Sequence, residues 1–302
     1  MKPVIVSEKI KKEFSNNVAL HGIDLSINEN ECVALLGKNG AGKSTLLNII
    51  LGNYFPTSGN MTMNFAKNEI GFLPQKTNFP EDVKVDELIH LVASYGQNHL
   101  SKEERNDILK FSPEQLNQFA AKLSGGQQRL LDFCLSIINK PKLLIMDEPT
   151  NGMDTSTRQH FWEIIQQLMK NETTIVFTTH YIEEVNYSSD RVVLLDDGKL
   201  IADDAPYHLR MLDHEKILWI ESDNYSPYKE KVQKIISANQ IRVVETNELT
   251  KWHFQAEEAS RILEELLAID FPLEKIELTN TSLLDTIFNE KGGVGNEELD
   301  ES

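Results

Sequence analysis

Residues 37–45 of the chain read Gly37-Lys38-Asn39-Gly40-Ala41-Gly42-Lys43-Ser44-Thr45. Residues 33–36 before them are continuously apolar and predict a buried strand, and residues 44–50 begin an amphipathic helical pattern. The glycines therefore fall on a strand-to-helix turn, where backbone N–H groups and the helix N-terminus can surround a phosphate. In such a loop Lys43 bridges the β- and γ-phosphates, and the Ser44 hydroxyl is a ligand of Mg²⁺. The sequence predicts a phosphate-binding loop.

Two later segments carry carboxylates or glycines at the boundary of a predicted element. Residues 143–146 form an apolar strand pattern followed directly by Asp147 and Glu148. Because ligands of open α/β sheets bind at the carboxyl ends of the strands, Asp147 is placed to hold Mg²⁺ and Glu148 to take a proton from an attacking water. Residues 123–127 read Leu123-Ser124-Gly125-Gly126-Gln127 before a helical pattern. Adjacent glycines before a helix leave a bare anion-binding surface.

This ordered set of motifs resembles the ATP-binding cassette (ABC) family, and the resemblance covers about residues 1–210. It implies a P-loop NTPase fold of the ABC type, with ATP and Mg²⁺ as cofactors and ATP hydrolysis as the activity. It also implies that residues 124–127, the signature loop, contact the γ-phosphate of ATP bound by an opposite subunit. A helix dipole contributes only about 0.3–1 kcal/mol at an exposed site, so we expect bound ATP, rather than this loop alone, to close the dimer.

Four single residues take roles only through the resemblance. Gln75 resembles the glutamine that touches Mg²⁺ or water, although by itself it would be a surface glutamine. His180 resembles the histidine that contacts the γ-phosphate, although a histidine at a strand end is more often structural. Asp154 resembles the carboxylate that crosses the dimer interface, and it could equally cap a helix. Phe14 stands where the family commonly has a tyrosine stacked on adenine, with a core position as the alternative.

The rest of the first 212 residues fits an α/β nucleotide-binding domain. Apolar strand patterns recur at residues 31–36, 143–146, 174–179 and 191–195, as expected for the buried centre of an α/β sheet. Between residues 82 and 122 the pattern is helical, with candidates at residues 85–95, 102–110 and 113–119 and no strand signal. We expect residues 1–212 to form the ATPase domain, with a helical insertion at about residues 82–140.

The remaining residues predict a second, smaller α+β domain at residues 213–291. Strand and helix patterns follow in the order β-α-β-β-α-β, which is that of a ferredoxin-like unit. A last helix is predicted at residues 282–290, and an acidic tail at residues 292–302 is expected to be disordered. The sequence shows neither a convergent polar cluster nor a His/Cys set for a metal, so a dimerisation or regulatory appendage that binds no ligand is favoured over a small-molecule sensor.

Composition limits the partners and the location. The formal net charge is −17, and the absence of a concentrated basic patch argues against nucleic acid. Cys32 and Cys134 lie in apolar patterns, which suits buried free thiols in a reducing cytosol. The chain begins without a signal-peptide pattern, and no apolar run approaches the roughly 18 residues that span a bilayer. If the chain works at a membrane, we expect a permease to supply the spanning segments, with this chain at the cytoplasmic face.

Proteins with such a cassette act in transport, in DNA maintenance or in translation, and the sequence favours transport. About fifty residues separate Gln75 from Ser124, too few for the coiled coil of DNA-maintenance ATPases. A single cassette in an acidic chain argues against a role in translation. Residues 276–288 resemble the tail of drug, antibiotic and peptide exporter subunits, although Leu284 replaces the usual acidic residue. Export is therefore favoured over import, because importers more often append a β-barrel.

Two partners are expected. Since every motif for two ATP sites is present in one chain, the second ATPase subunit is predicted to be another copy, with a different ATPase subunit as the alternative. An apolar group beside Gln75 is expected either to receive a helix of the permease or to form internal core: Phe72, Phe79, Val83, Val85 and Leu88. The transported compound is not encoded in these motifs.

Overall fold

The described part of the chain falls into two units. The computed structural model describes residues 2–15, 17–96, 98–181, 184–185, 188–211, 215–221, 226–239, 241–245 and 249–280. The units are Met1–Pro206 and Tyr207–Ser302. The predicted helix at residues 282–290 and the predicted tail at residues 292–302 lie outside the described residues.

The first unit alternates strands and helices after an initial pair of strands. Its elements in chain order are β1 (Pro3–Phe14), β2 (Asn17–Asn28), β3 (Cys32–Leu36), α1 (Lys43–Ile50), β4 (Ser58–Met63), β5 (Ile70–Leu73), α2 (Val85–Ala93), α3 (Lys102–Leu109), α4 (Pro113–Asn117), α5 (Gly125–Ile137), β6 (Leu143–Asp147), α6 (Thr155–Lys170), β7 (Thr174–Thr179), β8 (Arg191–Asp196) and β9 (Lys199–Asp204). Helix α7 (Pro206–Met211) contains, in the sequence, the point at which the first unit ends and the second begins.

A six-stranded sheet brings the predicted motifs to one edge. Its order is β5-β6-β7-β3-β8-β9, with parallel pairing up to β8 and an antiparallel β9. Every residue of β3, β6 and β7 is buried, which explains their continuous apolar sequences. Because these strands are parallel and adjacent, the loop after Leu36, the pair Asp147–Glu148 and His180 all follow carboxyl ends at the same edge.

A second sheet, with the antiparallel order β2-β1-β4, was not predicted. The register of β1 against β2 shifts at several places, including between Ser7 and Ile10, so the polar and apolar residues do not alternate regularly. Ile5 and Ile10 of this sheet share a core with Leu46 and Leu47 of helix α1 and with central-sheet residues. The phosphate-binding loop is thus supported by apolar packing behind α1.

Helices α2 to α5 lie within the residues for which the sequence predicts a helical insertion, and α2 begins at the predicted residue. Val85 is fully buried, so the prediction that it could dock a permease is wrong and its core alternative is correct. Phe79, Val83 and Leu88 are half-buried, whereas Phe72 has an exposed side chain. Of the five residues in the predicted apolar group, Phe72 is the most exposed.

The second unit places two helices on one face of an antiparallel sheet. Its elements are β10 (Glu215–Glu221), α8 (Lys229–Ala238), β11 (Arg242–Glu245), β12 (Leu249–Gln255), α9 (Ala259–Ala268) and β13 (Ile276–Asn280). The strand order is β11-β12-β10-β13, and all pairs are antiparallel. Leu218, Trp252 and Phe254 of the sheet pack with Val232 and Ile262 of the helices. The element order is the one predicted from the sequence, but α8 starts at Lys229 because a short 3-10 turn occupies residues 226–228.

Three observations concern cysteines and membrane segments. Cys32 and Cys134 are buried free thiols, as predicted. Burial raises the pKa of Cys134 to about 12 and also raises that of Cys32, so both are uncharged at neutral pH. Within the described ranges, no helix is both long enough and apolar enough to cross a membrane.

Candidate nucleotide site

The loop of residues 37–45 is shaped around the buried side chain of Lys43. Its Nζ donates hydrogen bonds to the carbonyl oxygens of Gly37 at 2.6 Å and Lys38 at 3.0 Å. Gly42 precedes α1 with φ of 99°, and a Cβ there would lie 2.7 Å from the carbonyl oxygen of Ala19. Burial lowers the pKa of Lys43, and the charges of Glu148 and Asp147 oppose that shift. The loop therefore holds a cation beside two carboxylates at the start of a helix.

Asp147 gathers two hydroxyl groups on one carboxylate oxygen. Its Oδ1 accepts hydrogen bonds from Ser44 Oγ at 3.1 Å and from Thr178 Oγ1 at 2.6 Å. Ser44 and Asp147 thus bring together a hydroxyl and a carboxylate, the hard oxygen donors that suit Mg²⁺. In the part of the chain that the structure describes, no three His, Cys, Asp or Glu side chains form a metal cluster. This donor set fits an ion that completes its coordination with water and substrate phosphates.

Glu148 is buried at the end of β6, and hydrogen-bond donors surround its carboxylate. Its Oε2 accepts from Gln75 Nε2 at 3.0 Å and from Asn151 Nδ2 at 2.5 Å. The Nδ1 atom of His180 lies 3.4 Å from Oε1, which is within ion-pair distance although Nδ1 makes no hydrogen bond. Burial raises the pKa of Glu148, but Gln75, His180, Lys43 and Asn151 together lower it below its usual value. The carboxylate is therefore ionised at neutral pH and can accept a proton.

A cavity of about 460 Å³ opens above these groups. The predicted residues that line it are Phe14, Asn39, Gly40, Gly42, Lys43, Ser44, Thr45, Gln75 and Glu148. Five further lining residues were not predicted: Asn17, Val18, Ala19, Asp197 and Gly198. No motif marks those five in the sequence, because they come from β2 and from the turn between β8 and β9, which reach the cavity only through the fold.

Phe14 lies at the rim of this cavity rather than in the core. Its side chain is 40% exposed, so the core alternative is wrong. The ring packs edge-on against Tyr54, with 5.5 Å between centroids. Lys12 Nζ lies 4.8 Å from the centroid of Phe14 and donates a hydrogen bond to the carbonyl oxygen of Phe55 at 2.8 Å. An aromatic ring is thus held at the entrance of the cavity that Lys43 also lines.

The signature loop is a capped helix start away from the cavity. Ser124 precedes α5 and its Oγ accepts from Gln127 N, while Gln127 Oε1 accepts from Ser124 N. A Cβ on Gly125 would meet no atom within 4 Å, so this surface is open. Of the described residues that line the nucleotide cavity, none belongs to residues 124–127. The structure therefore does not bring this loop to the chain's own phosphate-binding loop.

Asp154 acts as a helix cap. Its carboxylate accepts from Thr157 N at 3.0 Å and from the hydroxyls of Thr157 and Ser156 at the start of α6. These hydrogen bonds lower the pKa of Asp154 well below its usual value. The helix-cap alternative accounts for these three hydrogen bonds, and Asp154 is not among the lining residues of the cavity.

Sequence reasoning missed two side chains that organise the carboxylates. Thr178 pairs with Asp147 across neighbouring strands, and its Oγ1 also accepts from Glu148 N at 2.8 Å. Asn151 follows Glu148 by three residues and reaches its carboxylate. A polar residue near the end of an apolar strand was the available signal for Thr178.

In the second unit, polar side chains converge where the sequence predicted none. A cavity of about 470 Å³ there is lined by Ala238, Asn239, Arg242, His253, Phe254, Gln255 and Glu258. The expectation of no polar cluster is therefore wrong, because β11, β12 and the turns beside them bring together residues that are distant in the sequence.

Comparisons with known proteins show what this chain is similar to. Residues 20–151 match a family model described as ABC transporter. The Nod factor export ATP-binding protein I of Rhizobium sp. (strain N33) is 33% identical over 213 residues, covering 66% of this chain and 70% of the relative. The linearmycin resistance ATP-binding protein LnrL of Bacillus subtilis (strain 168) is 34% identical over 212 residues, covering 66% and 68%. The dimeric post-hydrolysis structure of the ATP-binding cassette MJ0796 bound to ADP and Pi has a TM-score of 0.59 at 24% identity, covering 67% of this chain and 98% of that one.

Proposed function

Because the chain belongs to the ABC transporter family, we propose that it hydrolyses ATP in order to drive a separate membrane permease in export. The observation that carries the proposal is the buried constellation around Glu148. A phosphate-binding lysine, a hydroxyl–carboxylate pair and an ionised carboxylate line or adjoin one cavity. The named activities of the relatives, export and linearmycin resistance, support export over import.

Each group at this site has a defined part in the proposed reaction. The phosphate-binding loop and Lys43 hold the β- and γ-phosphates in place. Ser44 and Asp147 would hold Mg²⁺, which supplies positive charge against the phosphate oxygens when bound. Glu148 accepts a proton from the attacking water as the water oxygen bonds to the γ-phosphorus and the bond to the ADP oxygen breaks. Gln75, Asn151 and His180 orient the carboxylate that takes this proton.

The proposed working unit is a dimer of this chain. Ser124 and Gln127 cap α5, leaving Gly125 open, and residues 124–127 are not among the described residues that line the chain's own cavity. A second copy could present this loop to the γ-phosphate, and the first copy could reciprocate. Two identical ATP sites then lie between the subunits, and hydrolysis releases the contact.

The proposed permease contact is a groove beside β5. The groove has a volume of about 700 Å³, and its lining includes Phe72, Val92, Tyr95 and Leu135. Phe72 is 36% exposed and Tyr95 is 81% exposed, so the rim offers apolar surface to a partner. Docking of a permease helix here would hold the chain at the cytoplasmic face of the membrane. We expect a drug-like, peptide or lipid-like cargo.

The second unit is proposed to be an accessory domain with a ferredoxin-like fold. Its antiparallel order β11-β12-β10-β13, with two helices inserted as β-α-β-β-α-β, supports this assignment over an importer-type β-barrel. The proposed domain limits are residues 1–212 and 213–291. Dimerisation or regulation remains its proposed role.

The hydrolysis is tested with the purified full-length chain. Glu148→Gln is expected to slow single-turnover ATP cleavage by about 10²–10⁴-fold, while ATP binding persists and a dimer accumulates in light scattering. Glu163→Gln, on the exposed side of α6, is the matched control. An unchanged cleavage rate in Glu148→Gln would remove the assigned role of Glu148.

Isolation of the native complex from membranes, followed by identification of the co-purified chain, tests the permease proposal.

A further inference from the structure

Arg129 lies on helix α5, two residues beyond the signature loop, but its guanidinium ends behind the catalytic carboxylates. Its side chain is buried. We propose that Arg129 is a positioning residue that couples the signature loop to the general base Glu148. The inference rests on the proposed function, in which the signature loop serves an opposite subunit's ATP.

The guanidinium reaches backbone carbonyl groups from two separate segments. Nε donates to the oxygen of Pro149 at 2.7 Å, and Nη2 donates to the oxygens of Asp147 at 3.1 Å and Glu148 at 3.0 Å. Nη1 donates to the oxygen of Pro74. Arginine suits this task because its five N–H donors are fixed in one planar fork. One side chain therefore binds the segment that follows β6 and the segment that follows β5.

The backbone that Arg129 holds is in an uncommon conformation. Glu148 has φ of 45°, in the left-handed region that disfavours residues with a Cβ. Such a conformation persists only where its surroundings over-determine it. Arg129 binds the carbonyl groups on both sides of Glu148, and Thr178 Oγ1 accepts its N–H. These contacts fix the direction in which the Glu148 side chain leaves the strand.

The same helix is tied to the Gln75 loop at two points. Arg129 binds the carbonyl of Pro74, and Asp132, one turn further along α5, accepts a hydrogen bond from Thr77 Oγ1. Arg129 Nη1 lies 3.6 Å from Asp132 Oδ2, so the two anchors are connected. Gln75 lies between them and donates to Glu148. A displacement of α5 at its signature end would therefore be transmitted to both the backbone and the hydrogen-bond partner of Glu148.

Arg129→Lys is the direct test, since lysine keeps the charge but offers a single point of donation. We expect the kcat for ATP to fall by about 10- to 100-fold, because small misplacements of a catalytic group have costs of that order. The Kd for ATP, measured in the Glu148→Gln background, is expected to change less than about twofold. Arg191→Lys is the matched control, because Arg191 is also ion-paired, with Glu31 and Asp203, and is half-buried outside the site. Equal kcat values in the two variants, or a matching loss of ATP binding in Arg129→Lys, would overturn the inference.

A double-mutant cycle separates coupling from a local structural effect. Ser124→Ala weakens the signature loop. If Arg129 relays the effect of that loop, the loss of kcat in the double variant is expected to be much smaller than the two single losses combined. Additive losses would contradict the relay. If Arg129→Lys does not fold, Thr77→Val removes the anchor of Asp132 and is expected to lower kcat by about threefold to tenfold in the same cycle. Again, additivity with Ser124→Ala would overturn the inference. A wild-type chain that lacks Mg²⁺-dependent ATP hydrolysis would instead remove the proposed function itself.

Discussion

Asn151 donates its side-chain amide to Oε2 of Glu148 at 2.5 Å, and this is the same oxygen that accepts from Gln75 at 3.0 Å. Burial raises the pKa of Glu148, but these two amides, with His180 and Lys43, lower it below the usual value. Hydrogen bonds to the ionised form stabilise that form. Asn151 therefore helps to keep the proposed general base charged as the pH falls.

The pH dependence of hydrolysis should reveal this contribution. A general base acts in its ionised form, so kcat is lost as the pH falls through the pKa of Glu148. Asn151→Asp removes a donor and adds a like charge, which raises that pKa and moves the acid limb of the kcat profile to higher pH. Asn151→Ala is expected to move it in the same direction by less.

The control for this measurement is Asn171→Asp, which adds the same charge at the exposed end of α6. Its kcat profile is expected to match that of the wild type. If the acid limb of Asn151→Asp coincides with that of the control, Asn151 does not set the pKa of the base.

Phe14 is predicted to bind the adenine ring of ATP through its exposed face. Stacking of a base on an aromatic side chain is worth about 1–3 kcal/mol, so Phe14→Ala should weaken ATP binding by about 5- to 150-fold. Phe14→Tyr keeps the ring and is expected to keep the affinity. Fluorescent-nucleotide titration of the Glu148→Gln chain measures both variants.

Phe55→Ala is the matched control for Phe14, because Phe55 is 84% exposed and only its backbone oxygen takes part in the neighbouring hydrogen bond. Equal affinities of Phe14→Ala and Phe55→Ala would show that the ring of Phe14 does not contact the nucleotide.

The centre of the six-stranded sheet was predictable because strands β3, β6 and β7 are buried on both faces. Strand β7, Thr174–Thr179, has the predicted bounds, and every one of its residues is buried. The strands of the sheet β2-β1-β4 were not predicted, because their sequences lack a regular strand pattern. In β1 the register shifts break the alternation of polar and apolar residues, and its partner β4 lies about fifty residues away in the sequence.

The site was predictable where one segment carries both a residue and its structural context. Lys43 and Asp147 each follow a recognisable strand, so the sequence fixes their edge of the sheet. Arg129 carries no such signal, since a charged residue on a helix usually faces solvent. Its contacts with Pro74 and with the residues after β6 depend on packing between distant elements. The same holds for Thr178, which reaches Asp147 only across paired strands.

The groove beside β5 is predicted to be the permease contact. Tyr95→Asp places a charge on a side chain that is 81% exposed, so the fold is expected to persist while binding of the permease is lost. ATP hydrolysis by the purified chain should stay within about twofold of the wild type. Co-purification of the tagged chain with the membrane fraction measures the association.

Ile201→Asp is the control for Tyr95→Asp, because Ile201 is an exposed apolar residue on β9, outside the groove. The control should still co-purify with membranes. Retention of both variants would place the permease contact elsewhere on the chain.

Substitutions at Gly42 and Gly125 are expected to distinguish nucleotide binding from closure of the dimer. Gly42 has φ of 99°, and a Cβ there would lie 2.7 Å from the carbonyl oxygen of Ala19. Gly42→Ala is therefore expected to lower the free energy of unfolding by about 1–3 kcal/mol and to weaken ATP binding.

A Cβ on Gly125 meets no atom within 4 Å, so Gly125→Ala should leave thermal unfolding and ATP binding unchanged. If the opposite subunit's phosphate approaches that bare surface, the same methyl group blocks it, and Gly125→Ala in the Glu148→Gln chain should stay monomeric in light scattering with ATP. A normal dimer in that variant would exclude close approach of the nucleotide to Gly125.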